Sequence, residues 1–119
     1  MMFFDTYALY ESINGSAAYA RLKNEKIITN LLNRGELYNA LLRDYDRETA
    51  DSIMHGLAVD MVNIDLDIVM QAIRLKRLHA RKRLSMVDCI GYALARKHGM
   101  KFLTGDRQFE GMEGVEFVR

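Results

Sequence analysis

The chain has no proline, no tryptophan and a single cysteine, Cys89. Without a second thiol no disulfide can close within it, and a zinc site built on paired cysteines is excluded. Such cysteine usage fits a reducing compartment, so a cytoplasmic location is expected. Without proline, turns must be made by the eight glycines and by asparagine and aspartate. An excess of one charge is lacking too. The formal net charge is +1, so no bulk attraction draws the chain to a polyanion or a membrane. Any hold on a nucleic acid must come from a local patch. No apolar run approaches the roughly 18 residues that a membrane-spanning helix needs. The N-terminus also lacks the basic start and apolar core of a secretion signal. Histidine is scarce, and His55, His79 and His98 are scattered. A serine–histidine or cysteine–histidine nucleophile therefore has little support, and Cys89 reads as a small core residue.

What is present suits one compact domain covering residues 1–119, with 50% hydrophobic and 28% charged residues. Residues 2–4 read as a short buried strand that runs into Asp5. Ala8, Leu9 and Ile13 have helical spacing over residues 6–13, which Asn14-Gly15 ends. Ser16 can cap a short helix over residues 17–23, and β-branched Ile27, Ile28 and Thr29 make residues 26–29 strand-like. A helix is expected to start at Asn33-Arg34-Gly35-Glu36 and reach the polar break Asp44-Tyr45-Asp46, with another over residues 47–57. Residues 61–64 read as a third strand. Asp65 opens a helix with Ile68, Val69, Ala72, Ile73 and Leu75 on one side. Ser85 opens another, with Val87, Ile90, Ala93 and Leu94 buried, and Arg96-Lys97-His98-Gly99 stops it. Residues 101–104 and 115–118 complete the strands. Strands alternating with helices predict a three-layer α/β/α fold, with a central parallel sheet of four to five strands and right-handed crossovers.

Four acids then stand out. Asp5 follows Met2-Phe3-Phe4, Glu36 comes after an apolar stretch from Ile27 to Leu32, Asp88 lies in the turn opened by Ser85, and Asp106 closes Phe102-Leu103-Thr104-Gly105. In an open parallel sheet the carboxyl ends of the strands face one crevice, where ligands bind. Singly, each acid has a structural explanation. Asp5 suits a helix N-cap, Asn33 with Glu36 and Ser85 with Asp88 have capping-box spacing, and Asp106 suits the cap of a short turn before Phe109. That explanation must hold four times, at positions one crevice would collect. Carboxylates gathered there cannot all stay ionised without a counter-charge. A hard divalent cation, Mg²⁺ or Mn²⁺, answers this through oxygen ligands. Metal-assisted phosphodiester hydrolysis needs acids to hold the ions and no nucleophilic side chain. In that reading Asp5 and Asp106 hold the main ion, Asp88 holds it or orients water, and Glu36 holds a second ion or acts through water. Thr104 can hydrogen-bond an acid or an ion-bound water, or be only a β-branched strand residue. Thr6 has the same capacity beside Asp5.

Arg74, Lys76, Arg77, Arg81, Lys82 and Arg83 crowd one segment with His79, and no acid interrupts from Ile68 to Val87. Such a run is commonly a solvated helix end that complements the helix dipole. Here it leads directly into Ser85 and Asp88, so a strand of RNA entering the crevice would cross it. Arg77, Arg81, Lys82 and Arg83 are the expected phosphate contacts. Tyr7, Tyr10 and Tyr38 can stack on bases, but tyrosines on apolar helix faces more often belong to the core.

With these blocks in place, the chain resembles the PIN-domain ribonucleases, especially the small toxins of VapC type. The resemblance runs nearly end to end. It rests on the apolar start into Asp5-Thr6, the segment from Thr29 to Leu37 that carries Glu36, Leu84-Ser85-Met86-Val87-Asp88 with Ala93, and Phe102-Leu103-Thr104-Gly105-Asp106-Arg107-Gln108-Phe109. It implies a PIN fold in which Asp5, Glu36, Asp88 and Asp106 bind Mg²⁺ or Mn²⁺ and support cleavage of single-stranded RNA, with Thr104 assisting. It also implies a homodimer, silenced by an antitoxin protein that occupies the active-site groove. Two departures are visible: Gln108 stands where many members carry a further acid, and Asn30 where the family often has serine. Two rivals remain. One is a catalytically inactive PIN-like module that binds RNA or protein. The other is a receiver-like phospho-acceptor domain, which needs an acidic pair after the first strand, whereas Asp5 stands alone.

Overall fold

The computed structural model describes residues 1–119. In chain order its elements are β1 (Met2–Phe4), α1 (Thr6–Ile13), a 3₁₀ helix (Ala17–Leu22), β2 (Ile28–Thr29), α2 (Leu31–Asp44), α3 (Arg47–Gly56), β3 (Asp60–Met61), α4 (Leu66–Leu78), α5 (Met86–Lys97), β4 (Lys101–Thr104), a 3₁₀ turn (Arg107–Phe109) and β5 (Val115–Phe117). The five strands form one sheet in the order β3-β2-β1-β4-β5, and every neighbouring pair is parallel. The expected α/β class and parallel sheet are therefore present.

A parallel sheet is covered on both faces, so its central strands read as unbroken apolar runs. Successive side chains along a strand point to opposite faces, and β1 and β4 use this together. Phe3 and Phe102 enter one core with Ile68 and Ala72 of α4 and Leu94 of α5. Phe4 and Leu103 enter the other, with Leu9, Leu37, Leu41 and Ala50 of α1, α2 and α3. The register pairs Phe3 with Phe102, and their rings stack with centroids 6.0 Å apart.

The direction of α4 decides where its basic end lies. Asp65, the N-cap of α4, pairs at 3.5 Å with Lys97 in the last turn of α5. The two helices therefore run antiparallel, and the carboxyl end of α4 meets the start of α5. On α4, Ile68 and Ala72 are buried and Leu75 half-buried, whereas Ile73 is exposed. Each helical residue turns about 100°, so Ile73 leaves the buried line that Ala72 occupies, contrary to the expected grouping. Val87 likewise is only half-buried.

Other boundaries shift for local reasons. Asn30, not Asn33, caps α2: its side-chain oxygen accepts from the Asn33 N–H at 2.8 Å, so the helix starts at Leu31. Ser16 makes no side-chain cap, and the short helix after it is 3₁₀. The third strand is Asp60–Met61, because β2 offers only two residues to pair with. Val62 N–H still donates to the Thr29 carbonyl at 2.8 Å before the chain turns away, and Val62 and Ile64 pack against the first core. No helix is long and apolar enough to cross a membrane.

Asn30 is fully buried and its Nδ2 has no partner. Asn30→Ala should cost about 1–2 kcal/mol through loss of the cap. Asn30→Ser should cost less, since it keeps an acceptor and removes the unpartnered amide. Urea unfolding midpoints check the order, and an alanine variant as stable as the wild type would rule the cap out as a contributor.

Candidate active site

Strand order reverses at the middle of the sheet. From β1 the chain builds outward through β2 and β3 on one side, then returns to add β4 and β5 on the other. In open α/β sheets the ligand crevice lies outside the carboxyl ends at such a switch point. Asp5 follows β1 there, Thr104 ends β4, and Asp106 lies just beyond. The Asp5 N–H donates to the Leu103 carbonyl at 3.1 Å, which fixes Asp5 level with Thr104.

Asp5 is 4% exposed, and its carboxylate accepts from the Ala8 N–H at 2.8 Å as the cap of α1. Burial pushes its pKa up to about 7, with Asp88 and Asp106 adding to the rise, against the Thr104 hydroxyl and the Ala8 amide. The Thr104 hydroxyl also accepts from the Asp106 N–H at 3.0 Å, so it sits between the two acids. Asp106 in turn caps the 107–109 turn by accepting from the Gln108 N–H at 2.9 Å. Asp88 and Ser85 form a reciprocal capping box, with bonds of 2.9 and 3.0 Å. Burial raises the Asp88 pKa, Asp106 and Glu36 raise it further, and the Ser85 bonds oppose the rise.

Glu36 differs from the expected arrangement. It lies within α2 rather than in its first turn, and its Oε1 accepts from the Thr6 hydroxyl at 2.7 Å. Thr6 accepts in turn from Asn33 Nδ2 at 3.1 Å. A relay from Asn33 through Thr6 thus orients Glu36. Its only sequence signal is Thr6 following Asp5.

The cap reading holds for Asp5, Asp88 and Asp106. Asp88 and Asp106 add to the rise at Asp5, and Asp106 and Glu36 to that at Asp88, yet none of the four acids takes part in an ion pair. No group of three histidine, cysteine, aspartate or glutamate side chains is drawn together closely enough to enclose an ion, each acid being held by its own hydrogen-bond donor. As a donor set, carboxylates without a protein counter-charge fit a hard divalent cation in kind.

The antiparallel helices bring the basic segment to the same end. Arg77, Arg81 and Arg83 are exposed, and none of the cations from Arg74 to Arg83 is in an ion pair. Lys76 is engaged otherwise: its Nζ donates to the Leu84 carbonyl at 2.6 Å. Lys82 Nζ donates to the Gln108 carbonyl at 2.8 Å. The tyrosines have structural partners. Tyr10 donates to Asp44 and Tyr38 to Asp51, while Tyr7 lies against Gly105 beneath the Arg119 guanidinium. His98 ends α5, roughly 15 Å along the helix from Asp88.

The family model of the PIN domain matches residues 2–115. The chain belongs to the PIN domain family. Among solved structures, the VapC20 toxin of Mycobacterium tuberculosis, described as cleaving the sarcin–ricin loop, has a TM-score of 0.77 at 23% identity over 100% of both chains. A toxin–antitoxin complex from Klebsiella pneumoniae gives 0.74 at 21% identity, covering 98% of this chain and 96% of the other. A DNA-bound VapBC from Salmonella typhimurium gives 0.75 at 16% identity, covering 98% and 95%. No curated protein sequence matches the chain. At these identities the likeness is one of fold, and the PIN fold of the VapC toxins is the fold of this chain.

Proposed function

We propose that this PIN protein is a divalent-metal-dependent endoribonuclease that hydrolyses phosphodiester bonds of single-stranded RNA, as the toxin of a toxin–antitoxin pair. The observation that carries the reading is a set of carboxylates near one another, Asp5 with Asp88 and Asp106 and Asp88 with Glu36. Of these, Asp5 is buried with a pKa raised to about 7, and none is in an ion pair. Asp5, Asp88, Asp106 and Glu36 would hold Mg²⁺ or Mn²⁺. A divalent ion bound there supplies a water of lowered pKa and neutralises charge on the phosphoryl oxygens. Thr104 keeps the Asp5 carboxylate and the Asp106 backbone in register, and the Asn33–Thr6 relay aims Glu36. Arg77, Arg81, Lys82 and Arg83 would take the RNA backbone as it crosses into the crevice.

The partners proposed are an antitoxin protein and a second copy of the chain, acting in the cytoplasm with residues 1–119 as one PIN unit. Toxin–antitoxin complexes among the structural relatives support the first. A line of exposed apolar side chains on α4, Leu66, Met70 and Ile73, supports a protein contact of some kind.

The second reading, a catalytically inactive binding module, is favoured by one observation: the acids are each tied up as caps or by Thr6, and no three converge on one point. Cleavage of fluorescent single-stranded RNA and of a sarcin–ricin hairpin, with Mn²⁺, Mg²⁺ or EDTA, separates the two. Cleavage that needs the ion is expected. A folded protein that binds RNA but cuts neither substrate in any condition supports the module instead.

A further inference from the structure

Gln108 has contacts that the crevice chemistry does not use. Its backbone N–H donates to Asp106 Oδ1 at 2.9 Å, and its carbonyl accepts from Lys82 Nζ at 2.8 Å. Its side-chain amide faces the backbone of Arg83 twice. Oε1 accepts from the Arg83 N–H, and Nε2 donates to the Arg83 carbonyl at 3.1 Å. A primary amide can do both because, like a peptide group, it carries an acceptor and a donor side by side. A carboxylate at this position could accept from the N–H but would set a second acceptor against the carbonyl. One residue therefore ties the turn that carries Asp106 to the loop that carries Arg81, Lys82 and Arg83.

The loop between α4 and α5 is otherwise anchored by the buried Leu84 at its end and by Lys82 on the Gln108 carbonyl. Lys76 holds the Leu84 carbonyl from the helix side, and the Lys82 N–H donates to the His79 carbonyl within the loop. Arg81 and Arg83 point no charge at any acid of the protein. An unclamped loop would have to be ordered each time a polyanion binds, and that ordering subtracts from affinity.

We infer that Gln108 is a positioning residue: it clamps the basic loop to the Asp106 turn, so that the arginines and the acid crevice meet an RNA backbone as one rigid surface. This rests on the ribonuclease reading for its functional half, while the clamp itself is a property of the fold. The role acts on binding. The side chain touches no acid, and replacing it leaves the backbone bonds to Asp106 and Lys82 in place.

Gln108→Met keeps the length of the side chain and removes both polar atoms. Hydrogen exchange of the Arg83 amide should speed up about tenfold in the variant, the scale of losing one or two neutral hydrogen bonds. In steady-state cleavage of a single-stranded RNA oligonucleotide, KM should rise about tenfold while kcat stays within about twofold. A thermal melt confirms that the variant is folded, as expected for a partly exposed side chain. Unchanged exchange at Arg83 overturns the clamp. Faster exchange with an unchanged KM overturns the positioning role but leaves the ribonuclease reading intact. A fall in kcat at constant KM also overturns the role, since it places the effect on Asp106. A wild type that neither binds nor cleaves RNA overturns the ribonuclease reading and this role with it.

Discussion

Asp5→Asn should abolish metal-dependent RNA cleavage and, without added metal at pH 8, leave the melting temperature equal to or above that of the wild type. The two halves have one cause. Asp5 caps α1 through the Ala8 amide, and its burial pushes its pKa up to about 7, with Asp88 and Asp106 adding to the rise. Asparagine keeps a side-chain acceptor for the cap but carries no charge to be desolvated. The sign follows from linkage. The folded state binds the Asp5 proton more tightly than the unfolded state, whose pKa is 3.8. Stability from this group is therefore complete below about pH 4 and lost as pH rises through about 7. The loss is at most about 4 kcal/mol. Wild-type melting temperature should accordingly rise between pH 8 and pH 5, other groups apart. The rise should be smaller in Asp5→Asn, so the gap between the two proteins closes at the acid end. Mn²⁺ should raise the melting temperature of the wild type and much less that of the variant. Wild-type cleavage rates in the variant would remove Asp5 from the catalytic set. A pH dependence shared by both proteins would remove the buried charge as its source.

Gly105→Ala should be the most damaging single-methyl change near the crevice. A Cβ on Gly105 would stand 2.1 Å from Tyr7 Cε1 and 2.5 Å from its Cζ, far inside contact distance. The ring cannot easily yield. Arg119 lies over it at 5.9 Å from the centroid, and the Arg119 guanidinium donates to the Gly105 carbonyl at 2.8 Å. Overpacking of this kind costs about 1–3 kcal/mol. Because Gly105 joins Thr104 to Asp106, the shift should also lower cleavage. Urea unfolding reads the stability. The decisive comparison is a double-mutant cycle with Tyr7→Ala, in which removal of the ring should relieve most of the cost of the added methyl. Simple additivity of the two losses would show that the ring is not what the methyl meets.

Several features were legible in the chain because they are local. The helix over residues 6–13, the strand over 101–104, the polar break at Asp44-Tyr45-Asp46 and the Ser85–Asp88 capping box all appear where spacing placed them. Each depends on residues within about four positions of one another, and cap geometry and helical period act over that range. Strand 61–64 and the start of α2 were misplaced by a few residues for a complementary reason. How far β3 extends depends on β2 offering only two residues to pair with. For α2, two asparagines lie close together, and only the packing that buries Asn30 shows which one caps.

What the sequence determined by itself is the inventory: alternating strands and helices, four acids at helix starts or after apolar stretches, and one uninterrupted basic segment leading to Ser85. Apolar period and capping chemistry are written in neighbouring residues, so they need no knowledge of the whole. Tertiary structure alone decided the rest. Strand order put β1 beside β4 and so brought Asp5 level with Thr104. Core packing laid α4 antiparallel to α5 and so brought its basic end to the start of α5. The contacts Thr6–Glu36, Tyr7–Gly105 and Gln108–Arg83 join residues that are distant along the chain. Hydrogen bonds and close contacts act only over a few ångströms, and chain separation does not reveal which distant residues come that close until the sheet has been ordered.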